Sequence, residues 1–507
     1  MSAPDRRREL STDHLLSDIG GRSVRGGAIT FAAQWFKVLL QFGTVVVLAR
    51  LLSPTAFGLI AMATALNTVL DGAKELGLSS ATIRKPEITH EQVTALFWIN
   101  AAVGALFTLA LFLAAPAIAR FYHQPQLVPV TRCLAFSFLL SGLTVQHWAL
   151  LRRQMRFTVT ASIDTGGEAL GFAVAIVVAL AGGGYWALVA QRLLSVTIGF
   201  VASWIACPWR PGLPRRTEGI GELFGFGASV TISSVAGSIS RSVDQILVGW
   251  LWGANALGLY ERAAKLLIAP LNNINIPLWS VAMPALSRLA AQKERYRLAF
   301  GEMMEKLAMV TMPGAAFVAA TADWIVDILF GPRWHAATPL VALFAIAIAY
   351  QPMVQGASLL YLTQNRPRAL LRWSLVDMVL YIVAICAGLP FGTIGVAAAL
   401  ALGGLTLRLP IAFWLGTRSG PVSLADLIAS LFPASAAALA VAGAVIGART
   451  LILPAAGASA AGMALVLATA TVAVGLTYLA IPRSRRALFG LARLWRQLRR
   501  RRSTFAI

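Results

Sequence analysis

The chain has 507 residues, 58% of them hydrophobic and only 13% charged, and 43 Lys and Arg against 21 Asp and Glu give it a net charge of +22. A soluble domain carries roughly 25% charged residues, so this chain cannot cover a water-facing surface. The composition excludes an ordinary soluble enzyme and predicts an all-α polytopic membrane protein. The basic excess falls in short clusters between long apolar runs, the distribution that the positive-inside rule predicts. It therefore argues against a nucleic-acid partner.

Residues 1–27 form a basic N-terminal segment (Arg6, Arg7, Arg8, Arg22 and Arg25). No short apolar stretch with a cleavage site precedes Ala28, so no signal peptide is expected. A membrane-crossing helix needs about 20 mostly apolar residues. On that template fourteen spans are expected, at 28–52, 57–80, 93–115, 127–150, 157–181, 184–206, 226–250, 256–280, 307–330, 338–362, 369–389, 394–415, 424–447 and 459–481. With a cytoplasmic N-terminus, the inside connections carry Arg84/Lys85, Arg152/Arg153/Arg156, Arg210/Arg215/Arg216, Arg288/Lys293/Arg295/Arg297, Arg366/Arg368 and Arg418. Outside connections carry isolated bases, Arg120, Arg333 and Arg449, or none. This alternation places both termini on the cytoplasmic side of a cytoplasmic membrane. Asp323 and Asp327, at the outer end of the ninth span, are expected to be solvated.

The connections are short, so no separate catalytic module is inserted. The tail, 482–507, holds RRALFGLARLWRQLRRRR at 485–502, with Leu488, Leu491, Leu494, Trp495 and Leu498 on one helical face. That pattern suits a helix on an anionic leaflet or a plain solubilising anchor. Cys133, Cys207 and Cys386 lie in or beside apolar segments, without metal-ligand spacing, so neither a disulfide framework nor a metal is expected.

Two stretches repeat. VLARLLSPTAFGL (47–59) and LVGWLWGANALGL (247–259) share Leu51/Leu251, Ala56/Ala256, Gly58/Gly258 and Leu59/Leu259. Each joins the first two spans of a six-span block, so the copies run in the same direction across the membrane, a parallel repeat of the kind some transporters use. The expected organisation is an N-lobe (28–206), a cytoplasmic linker (207–225), a C-lobe (226–415) and two added helices (424–481). The added helices are rich in Ala and Gly and are expected to be peripheral and lipid-facing.

Ionisable residues inside spans are costly and usually face a cavity or a partner. The first span places Gln34, Lys37 and Gln41 on one helical face. The second carries Asp71, Lys74 and Glu75; the fifth, Asp164 and Glu168; the sixth, Arg192; the seventh, Arg241, Asp244 and Gln245; the eighth, Glu261, Arg262 and Lys265. Read together, these faces suggest an aqueous cavity between the halves. The cations Lys37, Arg50, Arg192, Arg241, Arg262 and Lys265 suit an anionic cargo such as a phosphate or pyrophosphate. Arg50 and Lys265 can equally snorkel to the interface. The carboxylates Asp71, Glu75, Asp164, Glu168 and Asp244 suit a coupling cation or proton, and Gln34, Gln41 and Gln245 a polar lining. The bland alternatives are local ion pairs, Lys74–Asp71 and Arg241–Asp244, and simple solvation of Asp164 and Glu168. No Walker A, HExxH or nucleophile-elbow motif occurs, so no ATP site or cofactor is expected, and transport must draw on an ion or cargo gradient or the membrane potential.

LARLLSPTAFGLIAMA (48–63), LGLSSATIRKPEITHEQVTALFWIN (76–100), GYWALVAQ (184–191), WRPGLP (209–214), DQILVGWLWGANALGLYERAAKL (244–266) and ILFGPRW (328–334) occur in this order. Together they resemble the polysaccharide transporter family of bacterial flippases, above all its Wzx/WzxC-like exporters, within the multidrug/oligosaccharidyl-lipid/polysaccharide superfamily. The resemblance covers roughly the first 420 residues. It implies a two-lobed bundle with a central cavity that flips undecaprenyl-pyrophosphate-linked oligosaccharide for exopolysaccharide, capsule or O-antigen export. The partners it implies are that lipid, the bilayer, and the polymerase and glycosyltransferases of the same pathway. A multidrug or cation antiporter and a peptidoglycan-precursor flippase share the superfamily. A scaffold for polysaccharide assembly enzymes is the alternative of another class.

Overall fold

The computed structural model describes residues 19–71, 79, 82–83, 85, 88–213, 220–418, 420–452, 459–482 and 484–485. Among the described residues every regular element is helical. The chain forms two compact units, Met1–Glu261 and Arg262–Ile507. The first holds α1 (Ile19–Leu51), α2 (Pro54–Asp71), α3 (His90–Phe121), α4 (Leu127–Gly142), α5 (Val145–Arg153), α6 (Phe157–Leu180), α7 (Trp186–Ala206) and the start of α8 (Ile220–Leu289). The second holds the rest of α8, then α9 (Lys293–Ala320), α10 (Ala322–Leu329), α11 (Thr338–Thr363), α12 (Pro367–Gly388), α13 (Gly392–Gly403), α14 (Leu409–Thr417), α15 (Leu424–Gly447) and α16 (Ala460–Ala480).

Among the described residues the expected spans fall mostly on helix; 57–80 is described continuously only as far as 71. Eight helical segments among the described residues are long and apolar enough to cross a membrane, or up to ten when each sharply bent pair counts as one span. The expected helix 127–150 is broken into α4 and α5, bent by 41°, and 307–330 contains a 76° break between α9 and α10. Helix surfaces carry large apolar side chains outward, such as Leu113, Leu180, Ile205 and Leu439. Such faces need lipid, since water-exposed patches of that extent are rare on soluble proteins. Two helix starts are closed by reciprocal side-chain caps. Thr89 and Gln92 close a reciprocal capping box on α3, and Ser423 and Asp426 close one on α15.

The sequence repeat meets itself in the first unit. A Cβ on Gly58 would stand 1.6 Å from the Ala254 carbonyl oxygen, and one on Gly258 would stand 1.9 Å from that of Pro54. Between them Thr55 faces Asn255 at 3.5 Å. Position 58 touches the counterpart of 54, and the counterpart of 58 touches 54. Such reciprocity is the mark of a local twofold axis. Only glycine allows the backbones this close. Gly253, at φ +76°, breaks α8 where Ser53 separates α1 from α2.

Turn geometry repeats as well. Met155 and Asn365 both take a left-handed conformation (φ 53° and 54°), each followed by an Arg whose N–H reaches back five residues, Arg156 to Leu151 and Arg366 to Tyr361. His123 and Gly331, and Gly182 and Gly392, form further positive-φ pairs at corresponding turns.

In the second unit α9 packs on α11 and α15, and α16 packs on α15. The two added helices are therefore not merely peripheral. Ala434, Ala437, Val441 and Val445 bury one face of α15, while Phe432, Leu439 and Ile446 remain outside. Small residues allow the close approach by which membrane helices associate. Tyr478 on α16 donates to the Met309 carbonyl at 2.6 Å. Asp323, expected to be solvated, keeps 35% of its side-chain exposure and is ion-paired as well. Arg449 donates to its carboxylate and to the Ala320 carbonyl, and its guanidinium lies 4.8 Å from the Trp324 ring centroid. Asp327 in turn lies 2.9 Å from His335 Nδ1. The break at Thr321 turns these carboxylates toward partners.

Candidate functional site

In the first unit four helices line an open cavity of about 310 Å³ with polar and charged residues in its wall. A side cavity of about 140 Å³ shares Trp148, Arg152 and Asp164 with it. The larger cavity is at the low end of the size range of small-molecule sites.

The bend between α4 and α5 matters most for its lining. It follows Gly142 and turns α5 so that Trp148 and Arg152, one helical turn apart, face the cavity. Arg152 lies 5.7 Å from the Trp148 ring centroid, within cation–π range. Neighbouring Arg153 points the other way and is buried, donating to the Thr82 carbonyl at 2.9 Å and to that of Lys85.

Helix α6 contributes Asp164 and Glu168, and α7 contributes Arg192 and Ser195. These two helices touch through Gly171, where a Cβ would stand 2.4 Å from Ser195 Oγ and 2.8 Å from the Gln191 carbonyl oxygen. Ser195 donates to the Gly167 carbonyl at 3.0 Å, fixing the register that brings Arg192 into the same cavity.

Helix α1 supplies Lys37, whose ammonium donates to Asp164 and lies 4.0 Å from Glu168. The carboxylates remain accessible: the Asp164 side chain is 50% exposed and that of Glu168 31%. Gln34 lines the side cavity beside Lys37. Of the expected site residues, Gln34, Lys37, Asp164, Glu168 and Arg192 thus come together, with Lys37 paired inside the protein.

The others lie elsewhere. Gln41 is exposed on α1, and Arg50 is exposed at its end. Asp71 ends α2, and Glu75 lies outside the described residues. Arg241 is on α8, but its side chain is outside the described set. Asp244 is buried and accepts from Tyr260 at 3.0 Å, beside half-buried Gln245. Arg262 and Lys265 belong to the second unit, half-buried and exposed.

Sequence reasoning missed Trp148 and Arg152. Arg152 sits in a run of three bases that reads as a topology signal, and only the bend separates its direction from that of Arg153. It also missed an intramembrane pair in the second unit. Arg408 donates to both oxygens of Asp377, to Oδ2 at 2.8 Å, with its guanidinium 5.6 Å from the Tyr381 centroid. Arg408 closes a π-helical turn, Gly404–Arg408, where Gly404 leaves room for Tyr350, whose hydroxyl donates to the Leu400 carbonyl at 2.7 Å.

The profile of one family, described as "Polysaccharide biosynthesis protein", matches residues 47–339. The chain belongs to this family. It is a multi-pass membrane protein. It is similar to the teichuronic acid biosynthesis protein TuaB of Bacillus subtilis, 27% identical over 323 residues, 63% of this chain and 67% of that one. It is also similar to the lipopolysaccharide biosynthesis protein WzxC of Escherichia coli, 22% identical over 348 residues, 68% of this chain and 70% of that one. Its fold resembles that of the lipid II flippase MurJ in an inward closed conformation, with a TM-score of 0.70 at 11% identity, over 89% of this chain and 98% of that one.

Proposed function

We propose that this chain is a flippase for a lipid-linked oligosaccharide, the undecaprenyl-pyrophosphate-linked repeat unit of an exopolysaccharide, capsule or O-antigen. It works in the bacterial cytoplasmic membrane with both termini inside. Its lobes, 28–206 and 226–415, alternate in access, with 424–481 added to the second. It moves the headgroup between leaflets and leaves covalent chemistry to the polymerase and glycosyltransferases of its pathway. The observation that carries this reading is an open polar cavity among otherwise lipid-facing helices, with the exposed Arg152 and Arg192 in its wall. Paired and unpaired charges are kept in a membrane where they serve a pathway, and guanidinium groups suit phosphate oxygens. Lys37 joins them when its carboxylate partners are drawn away. Asp164 and Glu168 are the nearest candidates for a coupling proton or cation.

Membership of a polysaccharide biosynthesis family supports this cargo over the small cations of an antiporter. Deleting the gene tests the proposal. Surface polysaccharide should disappear while the lipid-linked repeat unit accumulates on the inner leaflet. Intact surface polysaccharide, or a lipid pool already on the outer leaflet, would refute it.

A further inference from the structure

Charge in the cavity does not match a pyrophosphate alone. Among the described residues, the two adjoining cavities set Lys37, Arg152 and Arg192 against Asp164 and Glu168, one positive charge in excess. A pyrophosphate carries more negative charge than that excess can neutralise, and two carboxylates in the same wall repel it. A wall built only to hold phosphate would not keep both acids accessible. Carboxylates accept hydrogen bonds from hydroxyl groups more strongly than neutral acceptors do. Arginine donates to the same hydroxyl oxygens.

Trp148 completes this chemistry. Its half-buried ring borders both cavities, one helical turn from Arg152. One face of a pyranose ring presents weakly positive C–H bonds, which match the negative face of an aromatic ring. An aromatic face, two hydroxyl acceptors and guanidinium donors around one cavity together form a carbohydrate-binding arrangement.

We propose that Trp148, Glu168 and Asp164 form a sugar subsite beside Arg152 and Arg192, and that this cavity selects its cargo by the sugar next to the phosphate. The inference rests on the flippase reading and adds to it the part of the cargo that the first unit recognises. It assigns Trp148 and Glu168 as specificity-determining residues.

The test uses full-length protein in detergent and two lipids: the repeat unit that accumulates in cells lacking this chain, and undecaprenyl pyrophosphate bearing no sugar. Trp148→Ala should weaken binding of the sugar-bearing lipid about tenfold, the loss typical of an aromatic anchor, and leave the sugarless lipid within about twofold. Trp148→Phe keeps an aromatic face and should restore most of the affinity. Glu168→Ala should move the two lipids in opposite directions, weakening the sugar-bearing one and tightening the sugarless one, because it removes both an acceptor and a repelling charge. Equal shifts of both lipids in either variant would overturn the sugar subsite while leaving the flippase reading standing. If the unaltered protein binds neither lipid, the flippase reading falls as well.

Discussion

The two units handle charge in opposite ways. In the first, Lys37 shares two accessible carboxylates, and Arg152 and Arg192 line the same polar cavity. In the second, Arg408 grips Asp377 through both carboxylate oxygens, leaving the two side chains 21% and 24% exposed. The cavity described at the start of α15, beside Ile428, Phe432 and Ile481, is lined by apolar side chains. The residue types are the same in both units. What differs is whether the charges satisfy each other fully: a bidentate pair with a tyrosine beside it leaves little for a ligand, whereas a shared lysine between two half-exposed acids leaves acceptors open. Charge alone therefore does not single out a candidate site in this protein; the candidate is drawn from incompletely closed charge.

Three substitutions probe the packing and the ion pairs of the two units, in decreasing order of predicted effect. Gly58→Val adds atoms where the Ala254 carbonyl already stands 1.6 Å from a first Cβ. It should destabilise the first unit by more than about 4 kcal/mol, the range of severe steric and core lesions, and be seen as loss of monodisperse protein in detergent. A normally folding Gly58→Val protein would show that the reciprocal contact between the repeats is not a fixed packing element. Asp377→Asn leaves a partly buried guanidinium without its counter-charge and should cost about 3 kcal/mol, read as a lowered thermal midpoint. An unchanged midpoint would mean that the second unit's pair is as open as the charges of the first. Glu302→Gln removes an exposed i,i+4 partner of Lys306 on α9 and should change stability by less than about 0.5 kcal/mol.

Much of this architecture is legible in the sequence. Apolar runs of span length mark the helices, because a continuous run of about 20 apolar residues satisfies its own backbone in lipid as a helix. The repeat is legible at 47–59 and 247–259 because close backbone contact constrains residue size at Gly58 and Gly258 and leaves a trace in the letters. The turns at Met155 and Asn365 differ at the left-handed position but share the residues on either side, Gln154/Gln364 and Arg156/Arg366, a trace too short to stand out in the sequence. Site residues are legible only where they share a helical face. Lys37 and Asp164 attract notice as charges within spans, but their pairing spans 127 positions and has no local signal. Arg152 resembles the topology-setting bases around it, and what sets it apart is the 41° bend after α4. Asp377 and Arg408, 31 positions apart on different helices, give no periodic cue at all.

The most direct test of the contrast between the units is a matched pair of variants in proteoliposomes, scored for both flipping of the lipid-linked repeat unit and thermal midpoint. Arg152→Gln combined with Arg192→Gln should slow flipping at least about tenfold with the midpoint unchanged, as expected when an interaction with the moving cargo is lost. Asp377→Asn should lower the midpoint while leaving the flipping rate per folded molecule near that of the unaltered protein. The reverse pattern, with normal flipping in the double arginine variant and flipping lost at full stability in Asp377→Asn, would contradict the assignment of the working charges to the first unit.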